Sequence, residues 1–177
     1  MATLVAGGTV LLLPQGAFSA AQLWDIVATY KATRITIVGQ PFAQPLLEVL
    51  DASPGRWDLS SVMMMTSSGA MWARENKLGL IRHMPQVTLI DAFSSSEALG
   101  LGSSTMTADA EVATAAFALG PNCALFTEDG RRVEPGSPER GRVAVSGFLP
   151  VGYYKDPAQS AATFPELAGR RGSIPGD

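Results

Sequence analysis

The stretch VTLIDAFSSSE, residues Val87–Glu97, begins as a short β-branched and apolar run and ends in an aromatic ring, three hydroxyls and a carboxylate. Such a run predicts a buried strand. A strand that stops here presents Ser96 and Glu97 at the carboxyl edge of a sheet, where open α/β sheets bind ligands. Hydroxyls suit phosphate oxygens, and a carboxylate suits a magnesium ion that accompanies a phosphate. For this segment alone, a polar loop after a core strand is an equally good interpretation.

Strands and helices alternate on the N-terminal side of this stretch. Short β-branched and apolar runs bounded by glycine or proline predict buried strands, and apolar residues at helical spacing predict helices between them. Ser19 and Gln22 form a capping box, which predicts that the first helix begins there. Alternation at this spacing indicates crossover units and a mostly parallel sheet. The predicted strands are Gly8–Pro14, Arg34–Val38, Val62–Thr66 and Val87–Ala92, and the predicted helices follow Ser19, begin near Pro41 and span Ala73–Met84.

The pattern changes after residue 103. Residues 103–116 are small and weakly patterned, which predicts a connecting loop or a short helix. Ala124–Thr127 followed by the Asp129-Gly130 pair predicts a hairpin, because Asp-Gly favours tight hairpin turns. Gly141–Ser146 predicts a further short strand. The sequence therefore predicts an α/β fold, in which a mostly parallel sheet with flanking helices is followed by a small antiparallel β-subdomain. The expected division is an α/β part at residues 1–103 and a β-rich part at 104–177.

Composition excludes several classes of protein. The chain has 177 residues, of which 46% are hydrophobic and 16% charged, and its net charge is −3. No apolar run approaches the ~18 residues of a transmembrane helix, and basic residues are not clustered among aromatics as a nucleic-acid surface requires. Cys123 is the single cysteine, so neither an internal disulfide nor a cysteine–histidine zinc site is expected. A chain with one cysteine and no export signal is expected in the cytoplasm.

Four segments in fixed order carry a resemblance to a known family. They are Ser67–Ala70, Asp91–Glu97, Gly141–Phe164, which includes GRVAVSG and GYYKDP, and the terminal pair Gly176-Asp177. Together they resemble the AMP-forming acyl-CoA synthetases (fatty acid–CoA ligases) of the adenylate-forming superfamily. The resemblance covers roughly residues 3 to 177. It implies a reaction with Mg²⁺ in which a carboxylic acid attacks the α-phosphate of ATP, giving an acyl-adenylate and releasing pyrophosphate. Coenzyme A then takes the acyl group, and AMP leaves.

The resemblance also implies roles for individual residues. Ser96 stands where the family contacts phosphate and Glu97 where it binds Mg²⁺, so these two are the predicted catalytic residues. Phe93 takes the place of the aromatic residue beside the adenine, Gly69 and Ala70 form the small-residue turn against the adenine and the acyl end, and Asp177 holds the ribose hydroxyls. The predicted nucleotide-binding set is Gly69, Ala70, Asp91, Phe93, Ser94, Ser96 and Asp177.

Three further residues are predicted to line the acid-binding site. Gln40, Phe42 and Trp72 each follow the end of a predicted strand, and ligands of open α/β sheets bind at strand ends. The resemblance implies a hydrophobic acid of the fatty or steroid type, while Ser94 beside an apolar pocket permits fatty, aromatic and sterol-derived acids alike.

The chain also departs from the family. Ser94 and Ser68 occupy positions where glycine is usual, and the residues before Gly176 lack the usual aromatic and basic pair. Nothing in residues 1–39 matches the phosphate loop with its lysine, which precedes this region in the family. We therefore interpret the chain as an internal fragment of the large N-terminal domain, inactive by itself. Its expected partners are the acid, coenzyme A and the N- and C-terminal parts of the same enzyme, and exposed apolar faces predict self-association.

Two other classes stay open at this point. The chain could be a non-catalytic module that binds nucleotide or acyl-adenylate, or a structural remnant without a ligand. Binding of an acyl-adenylate analogue would separate these two. A serine hydrolase is a more distant alternative, because the sequence has no G-x-S-x-G elbow.

Overall fold

The computed structural model of the protein describes residues 2–110 and 116–175. These residues form two units, one made of residues 2–89 and 106–110 and the other of residues 90–105 and 116–175. The units are defined by contacts within the folded chain, whereas a domain is defined by independent folding. The predicted division at residue 103 therefore stays a prediction.

Helices and strands alternate through the first half of the chain, as the sequence predicts. Among the helices of the described ranges, none combines the length and the apolar character needed to cross a membrane. The elements, in chain order, are α1 (Ala2–Val5), α2 (Ala20–Tyr30), β1 (Arg34–Ile37), α3 (Gln40–Ala52), β2 (Met64–Ser67), α4 (Arg74–His83), β3 (Thr88–Phe93), β4 (Gly102–Met106), β5 (Ala118–Leu119), β6 (Cys123–Phe126), β7 (Arg142–Ser146), α5 (Pro157–Thr163), β8 (Glu166–Leu167) and β9 (Arg170–Ser173).

The strands form two sheets. The first has the order β1-β2-β3-β4-β5, and β1 pairs with β2 in parallel, with Ile37 opposite Ser67. The second has the order β6-β7-β9-β8, and its pairings are antiparallel. The predicted fold class, a mostly parallel sheet with flanking helices followed by a small antiparallel layer, is confirmed.

The core of the first unit forms where the apolar faces of α2 and α3 meet the sheet. Trp24 and Leu46 are completely buried, and the Trp24 indole N–H donates to the Leu46 carbonyl at 3.0 Å. Met65 lies in the same core at 0% exposure. The predicted cap of α2 is confirmed, because the Ser19 hydroxyl accepts from the backbone N–H of Gln22 at 3.3 Å. A buried indole whose N–H has a partner avoids the cost of an unpaired donor.

The predicted strand at Gly8–Pro14 is wrong. Residues 8–14 form neither strand nor helix, and the side chains of Val10–Leu13 are between 38% and 82% exposed. Apolar composition gives a run the tendency to be a strand, but a strand forms only when a neighbouring strand pairs with its backbone. Within the described residues, no strand pairs with this run.

The predicted loop or short helix at residues 103–116 is also wrong over its first part, which lies in strand β4. Residues 111–115 lie outside the described residues. In β4, Gly102, Ser104 and Met106 are buried in alternation. This alternation is typical of a half-buried strand, but two of the three buried positions hold small residues, so the sequence does not show the apolar alternation expected of a strand. A Cβ at Gly102 would lie 2.9 Å from the Ala118 carbonyl oxygen, so glycine lets β5 approach closely here.

The second unit has two small apolar clusters on its antiparallel sheet. One contains Ala98, Leu101 and Val145, and the other Phe126, Ala144 and Ile174. The predicted hairpin after β6 is present: the N–H of Thr127 donates to the Arg131 carbonyl at 2.9 Å, and Gly130 has a φ of +80°. The Asp-Gly pair therefore turns the chain as its residue types predict.

Candidate active site

The predicted site residues divide between the two units. Those of the first unit are Gln40, Phe42, Gly69, Ala70 and Trp72, and those of the second are Asp91, Phe93, Ser94, Ser96 and Glu97. Asp177 lies outside the described residues. Each group is described within its own unit.

In the first unit, two loops follow the neighbouring ends of β1 and β2. The Ser67 side chain, completely buried at the end of β2, accepts a hydrogen bond from the backbone N–H of Gly39 at 2.8 Å. The backbone N–H of Gln40 donates to the Met71 carbonyl at 2.8 Å. These two bonds tie the loop after β1 to the predicted adenine-binding turn after β2.

The contact between the two loops requires glycine at position 39. Gly39 has φ +58° and ψ −153°, a conformation that L-residues rarely adopt. A Cβ there would lie 2.6 Å from the Ala70 carbonyl oxygen and 2.7 Å from the Ala70 Cβ. Gly69, on the other side, has φ +86°, and a Cβ there would lie 3.6 Å from Val38 Cγ1. The turn at Gly69-Ala70 is thus held against the backbone of its neighbour.

The structure gives the Gln40 carboxamide a structural role. Its Oε1 accepts from the backbone N–H of Ala73 at 3.1 Å, and its Nε2 donates to Asn76 Oδ1 at 2.6 Å and to Gln44 Oε1 at 3.0 Å. Ala73 is the N-cap of α4 and has no side-chain acceptor, so Gln40 caps this helix from a distance in sequence. Its predicted contact with the acid stays a prediction.

This capping role predicts a loss of stability in Gln40→Leu. The substitution leaves the Ala73 N–H and the buried Asn76 side chain without this partner, and we expect the free energy of unfolding to fall by about 2 kcal/mol. Urea denaturation measures the change. Gln44→Leu is the control, because it removes the exposed hydrogen bonds of Gln44 to Gln40 and Glu48 and keeps those of Gln40 to Ala73 and Asn76. It should cost less than about 0.5 kcal/mol. Equal stability of Gln40→Leu and wild type would show that the carboxamide does not support the fold.

Trp72 and Phe42 lie against the core of the first unit. Trp72 is 1% exposed, with the Lys77 ammonium 5.4 Å from the centre of its ring. Phe42 is half-buried and meets Phe18 edge to face at 4.9 Å. The described residues offer the Trp72 indole N–H no hydrogen-bond partner. That these two rings line the acid site stays a prediction.

In the second unit, the segment after β3 forms a tight turn. The backbone N–H of Ser95 donates to the Ala98 carbonyl at 3.0 Å, and that of Ala98 donates back to the Ser95 carbonyl at 3.3 Å. The Ser96 side chain is exposed at the tip, and Phe93, 42% exposed, packs on Phe117 with ring centres 5.7 Å apart. A hydroxyl at an exposed turn is open to a phosphate oxygen, and an exposed aromatic face can stack on a base.

The Glu97 carboxylate accepts a hydrogen bond from a residue outside the predicted site. The Tyr153 hydroxyl donates to Glu97 Oε1 at 2.8 Å. This hydrogen bond to the ionised form is the main cause that lowers the pKa of Glu97 below its ordinary value. Glu97 is therefore an anion at neutral pH. The sequence signal for Tyr153 is the motif GYYKDP, whose two tyrosines by themselves favour packing or turn roles.

The donor set around Glu97 fits one kind of metal site. The described residues contain no group of three or more histidine, cysteine, aspartate or glutamate side chains that could hold a metal ion. A magnesium ion is commonly held by one or two carboxylates together with substrate phosphates and water. A single anionic carboxylate beside an exposed hydroxyl fits Mg²⁺ bound in that way and does not fit an all-protein cage.

A groove of about 440 Å³ lies on the antiparallel sheet, and it contains none of the predicted site residues. Its lining includes small residues of the strands, among them Ala124, Ala144 and Gly172, and the basic residues Arg132 and Arg170. The groove therefore does not coincide with the predicted site residues that the structure describes.

Comparison with known proteins supports the resemblance. No family model matches the chain. A medium/long-chain-fatty-acid–CoA/3-oxocholest-4-en-26-oate–CoA ligase of Mycolicibacterium smegmatis is 34% identical over 98% of the chain. The chain spans about a third of the length of the curated relatives it matches, 32% for this ligase.

Solved structures show the same fold. A long-chain-fatty-acid–CoA ligase from Archaeoglobus fulgidus superposes with a TM-score of 0.74 at 20% identity, covering 92% of this chain and 34% of that one. The AMPPNP-bound form of FmoA3, a nonribosomal peptide synthetase, gives a TM-score of 0.73 at 19% identity, covering 93% of this chain and 18% of that one. The resemblance that the sequence indicates is confirmed: the chain is a homologue of the AMP-forming acyl-CoA ligases and has the fold of the adenylate-forming enzymes over the part of them that it spans.

Proposed function

We propose that this chain carries part of the adenylation site of an ATP-dependent acid–CoA ligase. The observation that carries the proposal is the anionic Glu97 carboxylate, fixed by Tyr153 beside the exposed Ser96 hydroxyl in a turn that follows a central strand. The homologous ligase of M. smegmatis, named for fatty and cholesterol-derived acids, supports an assignment to hydrophobic acids. Coenzyme A would be the final acyl acceptor.

The residues have separable tasks in this proposal. The Ser96 hydroxyl would donate a hydrogen bond to a phosphate oxygen of ATP, and Glu97 would hold Mg²⁺. The metal, when bound, would supply positive charge that offsets the negative charge of the phosphates. Phe93 lies beside the adenine. The Gly69-Ala70 turn lies along the adenine and the acyl end, and Asp177 holds the ribose. Gln40, Phe42 and Trp72 shape the acid-binding side, Gln40 through its support of the turn at residues 70–73.

A chimeric enzyme tests the proposal. Residues 1–177 would replace the aligned third of the M. smegmatis ligase, and acid-dependent pyrophosphate release and acyl-CoA formation would be measured with fatty and steroid acids. We expect activity with at least one hydrophobic acid. A soluble chimera with the circular dichroism of the parent ligase and no acid-dependent pyrophosphate release would contradict the proposal.

The 177-residue chain alone is expected not to ligate. By resemblance, the phosphate loop and the lysine that bridges carboxylate and phosphate belong to the parts of the ligase that these residues do not match, so charge neutralisation is incomplete. Acyl-CoA formation by the purified chain would overturn this prediction. Tight binding of a non-hydrolysable acyl-adenylate without turnover in the chimera would favour the alternative of a non-catalytic binding module. Light scattering on the same preparation tests the expected self-association, which a monomer at high concentration would contradict.

A further inference from the structure

We propose that Tyr153 is a positioning residue, whose hydroxyl holds the Glu97 carboxylate in the single orientation in which it receives the metal. The inference rests on the proposed role of Glu97 as the magnesium ligand. The contact is direct, from the Tyr153 hydroxyl to Glu97 Oε1 at 2.8 Å, and it is partly shielded from solvent. Two carboxylate oxygens together offer about four lone-pair sites, so one hydrogen bond leaves capacity for a cation.

Tyr153 is the main hydrogen-bond partner of the Glu97 carboxylate, and the turn itself gives weaker support. The turn at residues 95–98 is closed by backbone hydrogen bonds, and the Glu97 backbone N–H and the Ser95 hydroxyl also lower the pKa of Glu97, each by less than the Tyr153 hydroxyl does. A glutamate side chain has three rotatable bonds and samples several rotamers when nothing holds its end. The phenol of Tyr153 reaches the carboxylate from a part of the chain 56 positions away. Metal ligands are commonly oriented in this way by a hydrogen bond from outside the coordination shell.

Tyr153 is itself fixed at its backbone. Its N–H donates to the Ser160 hydroxyl at 2.8 Å, and that hydroxyl donates to the Asp156 carbonyl at 2.6 Å within helix α5. The approach requires Gly152, because a Cβ there would lie 2.7 Å from Ser160 Oγ. The side chain of Asp156 in turn caps α5 by accepting from the Gln159 N–H at 2.9 Å.

The ring of Tyr153 is supported by a residue at the end of α5, and the loop before it is held from strand β9. The Tyr153 ring packs on buried Phe164 with centres 6.0 Å apart. The Arg171 guanidinium lies 4.7 Å from the centre of the Phe164 ring and donates to the carbonyls of Pro150 and Val151, both at 2.8 Å. Tyr153, whose hydroxyl contacts Glu97, is therefore held by a backbone hydrogen bond and by the packing of its ring on Phe164, which the Arg171 guanidinium contacts in turn.

The neighbouring tyrosine provides a matched control. Tyr154 is 88% exposed, and its ring lies 5.2 Å from the Lys155 ammonium. Tyr153→Phe removes the hydroxyl and keeps the ring that packs on Phe164, whereas Tyr154→Phe removes a hydroxyl of the same kind from the adjacent exposed residue. A role of Tyr153 in packing alone predicts that both variants behave like wild type.

The first measurement is made without metal on the isotope-labelled 177-residue chain. Three-bond couplings report the χ1 rotamer populations of Glu97. We expect one dominant rotamer in wild type and in Tyr154→Phe, and rotamer averaging in Tyr153→Phe with an unchanged Tm. Ser160→Ala, which loosens the Tyr153 backbone and keeps its hydroxyl, should give an intermediate result. An unchanged dominant rotamer in Tyr153→Phe would overturn the positioning role.

The second measurement adds Mn²⁺, as a paramagnetic substitute for Mg²⁺, together with a non-hydrolysable ATP analogue that supplies the phosphate ligands, and follows line broadening at residues 95–98. We expect localised broadening in wild type, its loss in Glu97→Gln, and an apparent Mn²⁺ affinity about tenfold lower in Tyr153→Phe. Broadening that survives in Glu97→Gln would overturn the proposed metal role of Glu97. Broadening that disappears in Glu97→Gln but is unchanged in Tyr153→Phe would overturn the inference about Tyr153 and leave the proposed function standing.

Discussion

Glu97→Gln in the chimeric ligase is expected to slow acyl-adenylate formation roughly 100-fold or more, because a metal ion at a phosphoryl centre supplies several kcal/mol of charge stabilisation. The substitution removes the negative charge and preserves the shape of the side chain. The carboxamide oxygen of the substituted side chain can still accept the hydrogen bond that Tyr153 donates to Glu97 Oε1 at 2.8 Å. The loss should therefore come from the metal and not from a collapse of the turn at residues 95–98.

Pyrophosphate exchange measures adenylation, and displacement of a fluorescent fatty acid measures acid binding. We expect acid affinity to change by less than about twofold, since an interaction made in the transition state affects turnover and leaves ground-state binding in place. Glu128→Gln is the matched control, because Glu128 is an exposed glutamate in the hairpin turn after β6. Equal losses of adenylation and acid binding in Glu97→Gln would identify Glu97 as a structural residue.

Much of the first unit could be predicted because its sequence signals are local and repeated. Leu46 and Leu50 lie one turn apart on α3, and both are buried, as their spacing predicts. The run at Gly8–Pro14 has an equally strong apolar signal, yet its pairing depends on a neighbour that a local pattern cannot supply. Strand β4 could not be predicted because it has partner strands but a weak local signal. Its buried positions include Gly102 and Ser104, and glycine and serine are not typical of strands.

Of the candidate site, only the residues that directly follow a predicted strand could be predicted from the sequence. The turn with Ser96 and Glu97 follows β3 directly, and a strand that ends in hydroxyls and a carboxylate carries that information locally. Tyr153 is 56 positions away, and only the fold brings its hydroxyl to Glu97. Gln40 also follows a strand end, but its carboxamide caps α4, whose N-cap Ala73 has no side-chain oxygen. A position at the edge of the sheet thus identifies a residue as a candidate for the site. The hydrogen bonds of its side chain then show whether that residue supports the fold, as Gln40 does.

Gly39→Ala is expected to lower the free energy of unfolding by about 4 kcal/mol. Two costs add at this position. The backbone conformation, with φ +58° and ψ −153°, is essentially restricted to glycine. The new methyl group would also lie 2.6 Å from the Ala70 carbonyl oxygen, and an atom of the backbone cannot swing aside as the end of a side chain can. Relief requires the turn at Gly69-Ala70 to move, which also strains the hydrogen bond from the Gly39 N–H to Ser67.

Gly55→Ala separates these two costs. Gly55 has φ +74°, and a Cβ there would meet nothing within 4 Å, so this control should lose only about 1 kcal/mol from its left-handed backbone. Urea unfolding of both variants gives the two free energies. Amide hydrogen exchange at residues 67–73 then reports where the strain in Gly39→Ala is relieved, and faster exchange is expected at these residues in Gly39→Ala and not in Gly55→Ala. Equal losses of stability in the two variants would mean that the β1 and β2 loops are not in contact, and the geometry described for the turn at Gly69-Ala70 would then be wrong.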